Sequence, residues 1–364
     1  MAPMAIRPEV EALPGYHFTA RHEPVKLDQN ESPWDLPDPV RAAVLARLGE
    51  AALNRYPELH AERARSAVAA LEGWPEEGVV VTGGSNVLIQ AAVIAAGLGR
   101  RVLSVTPTFS VYGLQARLLG AELRQLPLGD GFALPVGALL RELSAGQGVH
   151  FVAAPMAPTG NPVPGEQLRA LAEAGAGRWL TVIDEAYGAF AGSDFRELAR
   201  SVPGTLSLRT LSKAYGLAGA RLGYALADPS VARQLQKAVL PFSVSALQVA
   251  LLETVLAAPD FVQERIALIR AERERLSSAL ERRPWIEVFP SVTNFVLLRC
   301  ADAEATFAGL LAGGVLVRRQ DHLPGLEGCL RVSVGRPEEN DAFLAALDAA
   351  PGAAGREGAR HARA

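Results

Sequence analysis

Lysine is almost absent from this chain. Its 36 basic residues include only three lysines, Lys26, Lys213 and Lys237, and the rest are arginine. Arginine holds its proton and cannot act as an amine nucleophile, so chemistry that needs a primary amine has three places to occur. Cysteine is scarcer still. Cys300 and Cys329 lie near the C-terminus without metal-type spacing, which excludes a disulfide scaffold and reads as two reduced core thiols in a cytoplasmic protein. No apolar run reaches the roughly 18 residues of a membrane span, and no basic-then-apolar stretch opens the chain, so neither insertion nor secretion is expected. A formal charge of −3 leaves no electrostatic case for a nucleic-acid partner.

What remains is a 364-residue chain, 49% hydrophobic and 21% charged, long enough for two globular domains. Residues 1–37 are Pro-rich and polar and read as an arm; 351–364 are small, Arg-rich and unpatterned and read as a tail. Between 78 and 225 the texture is short apolar runs alternating with helical stretches. Strands are predicted at 79–81, 102–105, 123–126, 150–153, 180–183, 206–208 and 222–225. Continuous apolar strands separated by helices predict an α/β domain over 38–245: a mainly parallel seven-stranded sheet with helices on both faces. A long helical region from 246 to 280, broken near Pro259, then opens a smaller α+β domain running to 350, to which the arm belongs.

In open α/β sheets, ligands bind beyond the carboxyl ends of the strands. The unusual polar residues gather there. Thr82-Gly-Gly-Ser-Asn86 is a Gly-rich turn before a helix, suited to a phosphate or, equally, an ordinary Ser cap. Asp184 ends a strongly apolar strand, where a carboxylate needs a cation, unless it merely caps the next helix. Lys213 follows Thr210 and Ser212 and precedes Arg221, an amine beside phosphate-binding groups rather than a loose surface lysine. Arg331 alternates with apolar residues on a predicted strand; it could snorkel at an edge or fork onto an oxyanion. Arg318 and Arg319 read equally as site residues or solvated charge.

With Asp184-Glu-Ala-Tyr187, Ser212-Lys-Ala-Tyr-Gly-Leu-Ala-Gly-Ala-Arg221 and Leu330-Arg-Val-Ser-Val-Gly335 in view, residues 16–347 resemble the fold-type I pyridoxal-phosphate aminotransferases, most of all the histidinol-phosphate aminotransferases. The resemblance implies pyridoxal 5′-phosphate held by Lys213 as a Schiff base, with Lys213 then shuttling the proton. Asp184 would pair with the pyridine nitrogen, Tyr187 with the phenolic oxygen O3′, and Tyr112 would stack on the ring. Gly84, Ser85, Asn86, Ser212 and Arg221 would hold the phosphate, joined by Tyr56 of a neighbouring subunit in a homodimer. Arg331, Arg318, Asn30 and Tyr16 would bind the substrate. The implied reaction is histidinol phosphate plus 2-oxoglutarate giving imidazole-acetol phosphate plus glutamate. An aromatic amino-acid aminotransferase, a threonine-phosphate-type decarboxylase and a cofactor-binding protein without turnover are the alternatives. Two positions depart from the pattern. Ala157 stands where the family carries an Asn that donates to O3′, and Asn86-Val87 stands where it carries an acidic pair.

Overall fold

A run such as Val79–Thr82, mostly β-branched and apolar, has no face to offer to water and must be covered on both sides. The computed structural model, which describes residues 5–13 and 21–350, covers it so. Val79 and Val81 enter one hydrophobic core while Val80 enters another. Phe151 and Val152 divide between two cores in the same way. The strands are β1 Val25–Leu27, β2 Val79–Thr82, β3 Arg101–Thr106, β4 Glu122–Pro127, β5 Gly148–Ala153, β6 Trp179–Asp184, β7 Thr205–Thr210, β8 Gly223–Ala227, β9 Ile286–Val288, β10 Phe295–Cys300, β11 Val315–Arg319 and β12 Cys329–Ser333.

The seven-stranded sheet runs β2-β8-β7-β6-β5-β3-β4. All its pairings are parallel except those of β8, which is antiparallel to β2 and β7. The order reverses between β3 and β5, which is the switch point of such sheets. Because β8 runs backwards, its first residues lie at the same edge as the last residues of its neighbours: Gly223 is level with Thr82 on one side and Thr210 on the other. Arg221 is thereby brought to the edge that carries Asp184 and Lys213.

The second sheet runs β1-β11-β12-β10-β9. Its first strand comes from the arm: Val25–Leu27 pairs in parallel with 315–317, close to 300 residues away in sequence. One expectation needs correcting. Helix Ala246–Leu256, placed by sequence in the smaller unit, packs on helices Asp38–Gly49 and Glu62–Glu72, and Val249, Leu252 and Val255 join the first core. The long helix Asp260–Glu281 joins the two units instead. Phe261, Val262, Ile266 and Ile269 lie in the core that holds Val79 and Val81, Leu276 and Leu280 in the core of the five-stranded sheet with Leu27, Val296 and Val317. Among the described residues no helix is long and apolar enough to cross a membrane. Tyr16 and the tail 351–364 lie outside the described residues.

Candidate active site

The loops at the carboxyl edge of the large sheet close around a cavity of about 570 Å³. Lys213 is half-buried in its wall. Its Nζ donates to the Gln29 carbonyl at 2.9 Å and lies 5.8 Å from the centre of the Tyr187 ring. Removal from water lowers its pKa; Arg331 and Arg221 push the same way, against Tyr187 and Glu31. A buried amine among guanidiniums is the environment that releases a free amine nearer to neutral pH. The other two lysines are built differently. Lys26 is desolvated, but Glu31 and Asp28 outweigh that and raise its pKa. Lys237 is exposed and donates to Gln234 Oε1 at 2.8 Å.

Asp184 is the last residue of β6, level with Ala153 of β5. Its Oδ2 accepts from the Tyr112 hydroxyl at 2.6 Å and its Oδ1 from the Ala186 amide at 3.1 Å. Burial raises its pKa, opposed by those two hydrogen bonds. Tyr112 lines the cavity beside Asp184. Its ring has no exposed surface, stacks on Phe151 at 4.7 Å, and is spent on supporting Asp184. The half-buried ring at the cavity is Phe109, set edge-on to Tyr112 at 5.6 Å. Helix phase explains the exchange. Phe109 precedes the first turn of helix Ser110–Leu119 and stays at the rim, whereas Tyr112 is inside that turn and points back into the sheet.

Ser85, Asn86, Ser212 and Arg221 line one end of the cavity. Gly84 has φ +103°, and a Cβ there would stand 2.8 Å from Arg221 Nη2, so glycine lets the guanidinium lie against the turn. Gly223 is needed for the same reason: its Cβ would be 2.4 Å from the Ser85 nitrogen. Ser85 is not the cap of helix Ser85–Ala92 but its first residue, and no side chain caps that end. The helix therefore offers open N–H groups and the positive end of its dipole to this corner.

Arg331 and Arg318 line the cavity from neighbouring strands, level in the β11–β12 register. Arg331 Nη2 donates to the Asp28 carbonyl at 2.9 Å, and its guanidinium lies 5.3 Å over Phe295. Two level guanidiniums form a natural seat for a doubly charged anion. Arg319 turns away to Asp321, with contacts of 3.1 and 2.6 Å. Asn30, expected in the substrate pocket, stands one layer back and donates to the Tyr187 hydroxyl at 2.9 Å. Tyr56 is 85% exposed, outside this cavity, 5.0 Å from the Phe242 ring. Sequence reasoning passed over Phe109, Gln29, Glu31, Gln320 and His322, all of which line the cavity. Phe109 lies three positions before Tyr112 and Glu31 directly after Asn30, two residues already singled out; Gln320 and His322 carried no signal of their own.

The family model for aminotransferases of class I and II matches residues 22–347. The histidinol-phosphate aminotransferase of Deinococcus radiodurans is 48% identical over 348 residues, 95% of this chain and 96% of that protein. This chain belongs to the class I and II aminotransferases. A histidinol-phosphate aminotransferase of Chromobacterium violaceum is 38% identical, covering 94% of this chain and 96% of its own. The structure of histidinol-phosphate aminotransferase from Sinorhizobium meliloti in complex with pyridoxal-5′-phosphate matches with a TM-score of 0.86 at 26% identity, over 95% of this chain and 97% of that one.

In this aminotransferase, Arg331→Lys should not behave as a conservative change. A planar fork becomes a point charge on a shorter reach, which can no longer meet an oxyanion bidentately while holding the Asp28 carbonyl. KM should rise roughly tenfold to a hundredfold, the worth of one charged hydrogen bond, with cofactor occupancy unchanged. Steady-state kinetics with unaltered KM for both amine and oxo acid would remove Arg331 from the substrate site.

Proposed function

We propose that this protein transfers the amino group of histidinol phosphate to 2-oxoglutarate, using pyridoxal 5′-phosphate carried by Lys213. The carrying observation is that one cavity assembles a lysine whose pKa desolvation lowers, a buried carboxylate, and the anion-binding side chains of Ser85, Asn86, Ser212, Arg221, Arg318 and Arg331. The residues fit the cofactor. Gly84 is hollowed against Arg221 as a phosphate corner requires, and Asp184 is buried with hydrogen bonds but needs a cation to stay charged. When bound, the cofactor supplies an aldehyde for amines and a protonated ring that draws electrons from the substrate Cα. Lys213 provides the amine and, once displaced, the base that takes the Cα proton. Asp184, steadied by Tyr112, holds the proton on the ring nitrogen. Tyr187 donates to O3′, and Phe109 in place of Tyr112 packs on the ring. Ser85, Asn86, Ser212 and Arg221 grip the cofactor phosphate. Arg318 and Arg331 bind the substrate phosphate in one half of the reaction and a carboxylate in the other, with Tyr16 joining them.

The test is an absorbance-followed half-reaction with a panel of amines. Histidinol phosphate should exceed aromatic amino acids in kcat/KM by roughly tenfold or more, because a singly charged carboxylate meets the two arginines less fully than a doubly charged phosphate. Faster reaction with an aromatic amino acid, or release of CO2 from threonine phosphate, would reassign the substrate.

The reading includes a homodimer, a cytoplasmic home and two domains, the second with the arm. Leu53, Tyr56, Leu240 and Phe242 are exposed by 77%, 85%, 78% and 41%, and the Phe242 amide ties their two loops by donating to the Leu59 carbonyl. Such a patch favours a second copy, whose site Tyr56 would then reach. Sedimentation that finds only the 38.5 kDa monomer would refute the dimer. Cys300 and Cys329 are buried and free, as a reducing compartment requires; recovery in an exported fraction would refute the location. Proteolysis that separates no fragment near the long helix Asp260–Glu281 would speak against the domain division.

A further inference from the structure

Three consecutive arm residues each hold one of the site's side chains. The Asp28 carbonyl accepts from Arg331, the Gln29 carbonyl accepts from Lys213, and Asn30 Nδ2 donates to the Tyr187 hydroxyl. Asn30 is buried, with φ +54°, and is fixed on every side. Its amide nitrogen donates to Ser333 Oγ at 2.8 Å, Ser333 Oγ donates to its Oδ1 at 3.2 Å, and its carbonyl accepts from Asn294 Nδ2 at 3.0 Å.

The order of donors matters. A tyrosine hydroxyl has a single proton and two lone pairs. Ser333, which receives the Asn30 backbone N–H, spends its own proton on Oδ1, which leaves Nδ2 facing Tyr187 as a donor. Tyr187 therefore accepts on that side, and its proton is left for another acceptor. The Tyr187 ring is held edge-on to Phe295 at 5.1 Å, so the hydroxyl cannot swing freely. Ala157 lines the same cavity with no polar side chain.

We propose that Asn30 is a positioning residue that commits the one proton of Tyr187 to the cofactor's O3′, supplying through Tyr187 control that Ala157 cannot supply directly. The inference rests on the cofactor reading of the site. An opposite arrangement, with Tyr187 donating to an acceptor at position 30, would leave O3′ without that hydrogen bond. A plainer account is that asparagine is present only because it tolerates the left-handed backbone. The two accounts separate in one substitution, because glycine keeps that backbone and loses the amide.

The experiment titrates the visible absorbance of the Lys213 Schiff base in wild type, Asn30→Gly, Tyr187→Phe and the double variant. The titratable and charged groups that line the cavity with Tyr187 are Asp28, Glu31, Tyr112, Asp184, Lys213, Arg221, Arg318, His322 and Arg331, and all four proteins retain them. Losing a hydrogen bond makes O3′ more basic, and a more basic O3′ keeps the Schiff-base proton to higher pH. Asn30→Gly should raise the titration midpoint by about half to one pH unit, the worth of one neutral hydrogen bond. Tyr187→Phe should raise it at least as far, and the double variant should match Tyr187→Phe alone. Ser333→Ala, which frees the Asn30 amide to rotate, should shift it in the same direction, and Ala157→Asn in the opposite one. An Asn30→Gly midpoint equal to wild type, or a shift that persists undiminished in the Tyr187→Phe background, overturns the proposal. If Asn30→Gly does not fold, an unmoved Ser333→Ala midpoint overturns it instead. A wild-type protein that forms no coloured adduct with pyridoxal phosphate would sink the functional reading itself; a coloured one that ignores Asn30 sinks only this inference.

Discussion

Lys213→Arg should fold, bind substrate-sized anions and lose on the order of 10⁴-fold or more in turnover, the scale of a lost proton-transfer group. Arginine nearly preserves the length and cannot form a Schiff base, so the variant removes the amine without opening a cavity in the wall. The amine at 213 is distinctive because burial lowers its pKa, with Arg331 and Arg221 assisting. The sign follows directly. A lowered pKa means more neutral amine at a given pH, so pyridoxal phosphate should react with the protein at a lower pH than with a free lysine side chain. Borohydride reduction followed by peptide mapping should find the pyridoxyl group on Lys213. Lys26 is held protonated by Glu31 and Asp28, and Lys237 sits on the exposed end of a helix away from the cavity. Label chiefly on Lys26 or Lys237, or an active Lys213→Arg variant, would end the assignment.

The parallel part of the fold was legible because strands such as Val79–Thr82 and Trp179–Asp184 are apolar on both faces and flanked by helix-length segments. The site edge followed from it, since a parallel sheet puts all its strand ends on one side, and the residues after those ends could be read in order. Three features were hidden, each for its own reason. Strand Val25–Leu27 is three residues long and exists only through its pairing with 315–317, which leaves no local periodicity. The packing of helix Ala246–Leu256 was hidden because an apolar helix does not announce which core it joins; Val249, Leu252 and Val255 suit either. In the site, spacing names residue types but not side-chain directions. Phe109 and Tyr112 both line the cavity, and only the start of the helix decides which ring is half-buried there and which is buried against Phe151. Asn30 meets Tyr187 across 157 residues, a contact that no spacing rule encodes.

Asp184→Asn should leave the fold intact and slow proton removal from the substrate by about 10²- to 10³-fold, as losses of single preorganised electrostatic groups do. The carboxylate is buried and carries a raised pKa, so its charge is costly until a cation stands against it. On the proposed reading a protonated pyridine nitrogen would be that cation, and each would then stabilise the charged form of the other. The present contacts already aim the group: Tyr112 occupies Oδ2 and the Ala186 amide occupies Oδ1. Asparagine can accept only one of these donors through its single oxygen. Its NH2 can then donate to the Tyr112 hydroxyl, which exchanges a charged hydrogen bond for a neutral one, so a modest fall in Tm is expected alongside the kinetic loss. The two effects separate through Tyr112→Phe, which removes one hydrogen bond from the carboxylate but keeps its charge. That variant should show a comparable fall in Tm and a much smaller fall in rate. Stopped-flow measurement of a single turnover with saturating amine isolates the proton-transfer step from binding. Near-normal rates in a folded Asp184→Asn protein, or equal losses in Asp184→Asn and Tyr112→Phe, would show that the charge at position 184 is not what drives the chemistry.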